Sequence, residues 1–166
     1  IMLAPRKKLW STPIEVIDQA ISLLNPSKDE IVYDIGAGDG NFIIRCHQVT
    51  SSPCIGVEID EERAKEAKDS ILQHGFSESH CNIICSNALE YNYSDGTCFF
   101  LYLVPRGLRL ILQHLQAVKR RIRVITYMSP LPEIQSISVV KVSTAAHPEA
   151  KWPLYYYELN GETPEL

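Results

Sequence analysis

The run Ile31-Val32-Tyr33-Asp34-Ile35, broken by Gly36-Ala37-Gly38-Asp39-Gly40, constrains this chain more than any other stretch. The apolar half reads as a buried strand. Glycine at every second position after it demands a tight turn, with the backbone too close to a ligand for side chains. A second apolar run, Cys54 to Ile59, delivers Glu58 eighteen positions after Gly40. That separation suits an acid at the end of the neighbouring strand, facing the two hydroxyls of a ribose. Strand, glycine turn and distant acid together imply a nucleoside cofactor.

The glycine spacing narrows the choice. A dinucleotide-binding turn reads GxGxxG and offers a helix N-terminus to a pyrophosphate. Here the pattern is Asp34-x-Gly36-x-Gly38-x-Gly40, with Asp39 in the turn itself. Two carboxylates repel a polyphosphate but favour a cationic ligand, and a sulfonium-bearing nucleoside meets that demand.

The rest of the chain reads as alternating strands and helices. Thr12-Pro13-Ile14-Glu15 predicts a helix start, with Thr12 as N-cap, Pro13 at the first helical position and Glu15 closing a capping box. Val16, Ile17, Ala20, Ile21 and Leu24 form its apolar stripe, and Asn25-Pro26 ends it. A helix from about Asn41 to Val49 follows the glycine turn. Asp60 caps another that turns Ala64, Ala67 and Ile71 inward and stops at His74-Gly75-Phe76. Strands are expected over Asn82 to Cys85, Cys98 to Val104 and Ile122 to Tyr127. Between the last two lies a helix with Leu108, Ile111, Leu112 and Leu115 on one face. Such alternation builds a parallel sheet with right-handed crossovers. Ser136 to Ser143 and Pro153 to Leu159 then follow each other with only a loop between them, so they pair as a hairpin and one strand runs antiparallel. The tail from Asn160 to Leu166 is expected to fray.

Size and composition set the remaining bounds. The 166 residues suit a single domain spanning 1–166, with an ordinary 45% hydrophobic content. A net charge of −4 disfavours a generic nucleic-acid binder. The basic clusters Arg6-Lys7-Lys8 and Lys119-Arg120-Arg121 with Arg123 are local; the second reads as a solvated helix end. No apolar run reaches the roughly 18 residues of a membrane span, and the residues present contain no signal-peptide h-region. Cys46, Cys54, Cys81, Cys85 and Cys98 lie in apolar patterns without a CxxC pair. They read as buried reduced thiols of an intracellular protein, cytoplasmic or mitochondrial. The five histidines have no ligand spacing, so no metal is expected.

The turn Asp34-x-Gly36-x-Gly38-x-Gly40 with Glu58 resembles motif I and the ribose-binding acid of class I S-adenosylmethionine-dependent methyltransferases. The resemblance covers nearly the whole chain and implies a Rossmann-like α/β three-layer sandwich. Its seven-stranded, mostly parallel sheet would end in the antiparallel hairpin. It also implies S-adenosylmethionine as cofactor, held by Thr12, Asp34, Gly36, Ala37, Gly38, Asp39, Glu58, Asn87, Ala88 and Leu103. Asn87-Ala88 would meet the adenine, and Thr12 with Pro13 the methionine end.

Leu103-Val104-Pro105 stands where that family places motif IV. Enzymes that methylate base amino groups carry Asn/Asp-Pro-Pro-aromatic there, so a nucleobase amine is disfavoured. Trp10-Ser11-Thr12-Pro13 together with Phe99 to Leu108 resembles small protein-lysine methyltransferases, including some that act on mitochondrial inner-membrane proteins. By that resemblance Tyr102, Leu103 and Pro105 border the acceptor channel, and a protein is the expected partner. An RNA or small-molecule methyltransferase, or a non-catalytic binding subunit of the same fold, is the alternative.

Overall fold

The computed structural model describes residues 11–161. Trp10 and the Arg6-Lys7-Lys8 cluster lie outside them. The elements in chain order are α1 (Ile14–Leu24), β1 (Val32–Ile35), α2 (Asn41–Thr50), β2 (Cys54–Glu58), α3 (Glu61–Gln73), β3 (Cys81–Cys85), β4 (Cys98–Leu101), α4 (Pro105–Gln116), β5 (Ile122–Tyr127), β6 (Ser138–Val142) and β7 (Trp152–Leu159). One seven-stranded sheet has the order β3-β2-β1-β4-β5-β7-β6. β7 runs antiparallel to both β5 and β6, while the other pairings are parallel. The hairpin and its reversed strand stand as expected.

Alternation along the strands allots side chains to two cores. Val32, Cys54, Ile83, Phe100 and Ile125 pack with the apolar stripes of α1, α2 and α3 on one face. Tyr33, Val57, Phe99, Leu101 and Val124 pack with Leu108, Ile111, Leu112 and Leu115 of α4 on the other. The result is a three-layer sandwich. Among the described residues, no helix is long and apolar enough to cross a membrane.

Several local expectations are corrected. Thr12 is not the N-cap of α1. Pro13 holds that place in an extended conformation without a side-chain cap, and the Glu15 carboxylate instead accepts from the Ala145 amide at 3.2 Å. β4 ends at Leu101, not Val104, because its ladder partner Ile35 is the last strand residue before the glycine turn. No helix joins β3 to β4. A single 3-10 turn (Ala88–Glu90) and Tyr93 cover the sheet there, so helix and strand do not alternate throughout. Cys85 at the end of β3 is exposed, while the other four thiols are buried. Asn160 is pinned rather than frayed: its side-chain amide donates to the carbonyls of Leu115 at 2.8 Å and Val118 at 2.9 Å.

Candidate functional site

The chain builds β1, β2 and β3 outward on one side of the sheet, then returns to lay β4 and β5 on the other side of β1. Open α/β sheets bind ligands where the order reverses, beyond the carboxyl ends of the strands. In this sheet that crevice lies between the glycine turn after β1 and the stretch after β4. A shallow cleft, open to solvent, occupies it. Its walls carry Ser11 and Thr12, Asp34, the turn from Gly36 to Asp39, Asn41 and Phe42 of α2, Arg63 of α3, and Phe100 and Tyr102.

The turn takes its shape from glycine. Gly36, Gly38 and Gly40 have φ of 79°, 57° and 81°, a region costly for residues with a Cβ. Its amides face inward to β2. Gly36 and Ala37 donate to the Val57 carbonyl at 2.8 and 3.1 Å, and Gly38 donates to Glu58 Oε1 at 2.7 Å. Gly40 donates to the Ala37 carbonyl, and the Asn41 amide to Asp39 Oδ1 at 3.1 Å. A phosphate site would need these N–H groups pointing at the ligand. Here they are already spent on the turn itself and on β2.

Each carboxylate has a different surrounding. Asp34 is 5% exposed and lines the cleft. Burial pushes its carboxyl well above the usual range, and the nearby charges of Asp39 and Glu58 push the same way. A buried acid on a cleft wall, costly to ionise alone, favours a cation or a donor from a ligand. Asp39 is occupied: it accepts from the Ser11 hydroxyl at 2.9 Å and from the side-chain and main-chain amides of Asn41. It therefore braces the start of α2 and the approach to α1. Glu58 is 5% exposed and bridges two backbone amides, Gly38 on Oε1 and Asp60 on Oε2 at 2.9 Å. The acid that the spacing assigns to a ribose also holds the turn to β2.

The expected residues divide into two groups. Thr12, Asp34, Gly36, Ala37, Gly38, Asp39 and Tyr102 share the cleft. Glu58 sits behind it through Gly38. Asn87 caps the 3-10 turn, accepting from the Leu89 amide at 2.9 Å, and Ala88 is buried. The Leu103 side chain does not face the cleft. It is 2% exposed and packs under α4 with Leu108 and Ile111, so as a side chain it belongs to the core. Pro105 is exposed at the first position of α4, away from the cleft walls. Tyr102 is half-buried, tilted against Tyr127 at 4.7 Å, and burial raises its hydroxyl pKa. It serves as packing and as wall. No backbone donor among the described residues reaches the carbonyls of Tyr102 and Leu103.

Sequence reasoning missed Ser11, Asn41, Phe42, Arg63 and Phe100 as cleft residues. Phe42 and Phe100 stack at 4.2 Å beneath the opening, and their apolar periodicity marked them only as core. Arg63 follows the Asp60 cap on α3, where it resembles an ordinary exposed helix charge.

A parallel sheet closed by an antiparallel seventh strand, with a cleft at a phosphate-averse glycine turn, defines the class of S-adenosylmethionine-dependent methyltransferases. An RNA methyltransferase from Salinibacter ruber, solved with S-adenosyl-L-homocysteine, has this fold. It superposes with a TM-score of 0.81 at 22% identity, covering 93% of this chain and 97% of that one. The chain belongs to the ANTKMT methyltransferase domain family, whose profile matches residues 34–138. A protein-lysine N-methyltransferase of Saccharolobus islandicus is 29% identical over 133 residues, 79% of this chain and 82% of the relative. The mouse adenine nucleotide translocase lysine N-methyltransferase is 27% identical over 151 residues, 90% of this chain. Those residues make up 62% of the mouse protein, so this chain spans less than two thirds of its length.

Proposed function

We propose that this methyltransferase transfers its methyl group to the amine of a protein lysine. The observation that carries the reading is the stretch after β4. Where base-amine enzymes place an Asn or Asp side chain, this chain offers two main-chain carbonyls without backbone partners and the tyrosine wall of Tyr102. A flexible alkyl amine needs only such acceptors to orient its N–H groups. A planar base edge needs a fixed donor and acceptor pair. The two lysine-methylating relatives support the same choice.

When bound, S-adenosylmethionine supplies an electrophilic methyl on a sulfonium, so the protein needs no nucleophile of its own. The work left to the chain is positioning and exclusion of water. Asp34 would face the cationic part of the donor, and the carboxylate of Glu58 would take the ribose hydroxyls with its remaining lone pairs. Thr12 flanks the methionine end, Asn87 and Ala88 the base. The stacked Phe42 and Phe100 form a dry floor. The carbonyls of Tyr102 and Leu103 hold the amine in line, and Pro105 fixes the direction in which the chain leaves them.

RNA fits less well. Lys119, Arg120 and Arg121 lie where β5 begins, at the opposite end of the sheet from the cleft, and Arg121 is paired with Glu158. A polyanion following the cleft would meet Asp34, Asp39 and Glu58 instead.

The reading is tested by incubating the protein with tritiated S-adenosylmethionine and a cell extract. We expect label that survives nuclease, is removed by protease, and emerges as methyl-lysine after hydrolysis. Label lost to nuclease would replace lysine with RNA, and an organic-soluble label would indicate a metabolite.

A further inference from the structure

We propose that Met128 is a specificity-determining residue for the methyl acceptor, its exposed side chain packing against the acceptor polypeptide beside the target lysine. The proposal rests on the lysine reading above and deepens it. Met128 follows the last residue of β5, the strand beside β4 on the side away from the glycine turn. The ladder pairs Leu101 with Thr126, and one step further the rings of Tyr102 and Tyr127 meet at 4.7 Å. Tyr102 is a wall of the cleft, so Met128 comes directly after the residue that backs that wall.

The backbone at Met128 is strained. Its φ is 73°, in the left-handed region where a Cβ crowds the following carbonyl. Asn25 and Ser51 adopt that region as helix caps, and Asn160 has the short polar side chain it tolerates. A long apolar side chain has neither reason. The surroundings hold the strain in place. The Met128 amide donates to the Pro153 carbonyl at 3.0 Å, and the Leu131 amide to the Tyr157 hydroxyl at 2.9 Å. Tyr127 before the kink and Leu131 after it are 5% and 3% exposed, whereas Met128 is 38% exposed. The kink therefore leaves one apolar side chain in solvent between two buried ones, at the end of the sheet where an acceptor must arrive. Strain of this kind collects where ligands are clamped, and an unbranched thioether adapts to apolar partners of varied shape.

The test compares wild type with Met128→Gly, which keeps the left-handed backbone without strain, and with Met128→Leu, which keeps an apolar side chain. Three readings are taken: thermal melting, calorimetric titration with S-adenosylhomocysteine, and the initial rate of protease-sensitive labelling from tritiated S-adenosylmethionine over a dilution series of cell extract. We expect Met128→Gly to melt at or above the wild-type temperature and to bind S-adenosylhomocysteine as the wild type does. Its labelling of dilute extract should fall about tenfold, the size expected for one lost apolar contact, and recover as the extract is concentrated. Met128→Leu should retain most of the rate. Labelling by Met128→Gly at the wild-type rate would overturn the proposal. So would a loss matched in S-adenosylhomocysteine affinity, or one that persists in concentrated extract. A wild type that bound S-adenosylhomocysteine but labelled no protein would instead overturn the lysine reading, and the proposal with it.

Discussion

Replacing Glu58 should damage the protein before any ligand is added. Its carboxylate accepts two main-chain bonds, a buried one from Gly38 at 2.7 Å and a part-buried one from Asp60 at 2.9 Å. Hydrogen bonds to a charged group contribute roughly 1.5–3 kcal/mol each. Glu58→Ala removes both, so the loss is on the order of 3–5 kcal/mol. Glu58→Gln can still accept one bond, but its amide nitrogen meets the other N–H donor to donor. That costs about 1.5–3 kcal/mol. For a chain of this size the Gln variant should melt about 3–12 °C lower. Urea unfolding without cofactor, followed by tryptophan fluorescence, measures the effect directly. Titration with S-adenosylhomocysteine then separates lost binding from lost folding. If Glu58→Gln unfolded at the wild-type midpoint while binding was lost, the carboxylate would be a ligand group alone and its role in holding the turn would be wrong.

Two further outcomes follow from the same geometry. Leu103→Ala should destabilise by about 2–5 kcal/mol, as for a leucine removed from a packed core, with donor affinity unchanged. Wild-type stability with reduced transfer would put that side chain back in the acceptor channel. Glu30 sits among Arg123, Thr97 and the Ser27 amide. Burial opposes its charge, but those hydrogen bonds outweigh burial and bring its carboxyl down from 4.5 to about 2. Because the folded value is the lower one, its contribution is complete above about pH 4.5. It disappears as the pH falls toward 2. Denaturation of wild type and Glu30→Gln should therefore differ by ~2 kcal/mol near neutral pH and converge in acid, allowing for solvent screening. A constant difference across that range would remove the carboxylate from the stability balance.

Much of the architecture was legible in the chain because its signals are local. The β-branched run before Gly36, the 0-3-4-7 stripe of α4 and the Asp60 cap each describe bonds within a few residues. The hairpin finish followed from the missing helix between β6 and β7. The phosphate-averse turn was legible too, since its carboxylates are neighbours in sequence. What tertiary structure alone decided is which side chain faces the cleft and which partner each polar group finds. Leu103 went to the core under α4 because β4 ends at the last ladder partner that β1 offers, two residues earlier. Glu58 became a brace because its strand delivers it beneath Gly38, twenty positions away in sequence. Arg63 entered the cleft because a glycine on another segment left room for it. Periodicity and caps record what a residue does to its own helix or strand. The contacts that build this site run between elements, and they exist only once the sheet has set those elements side by side.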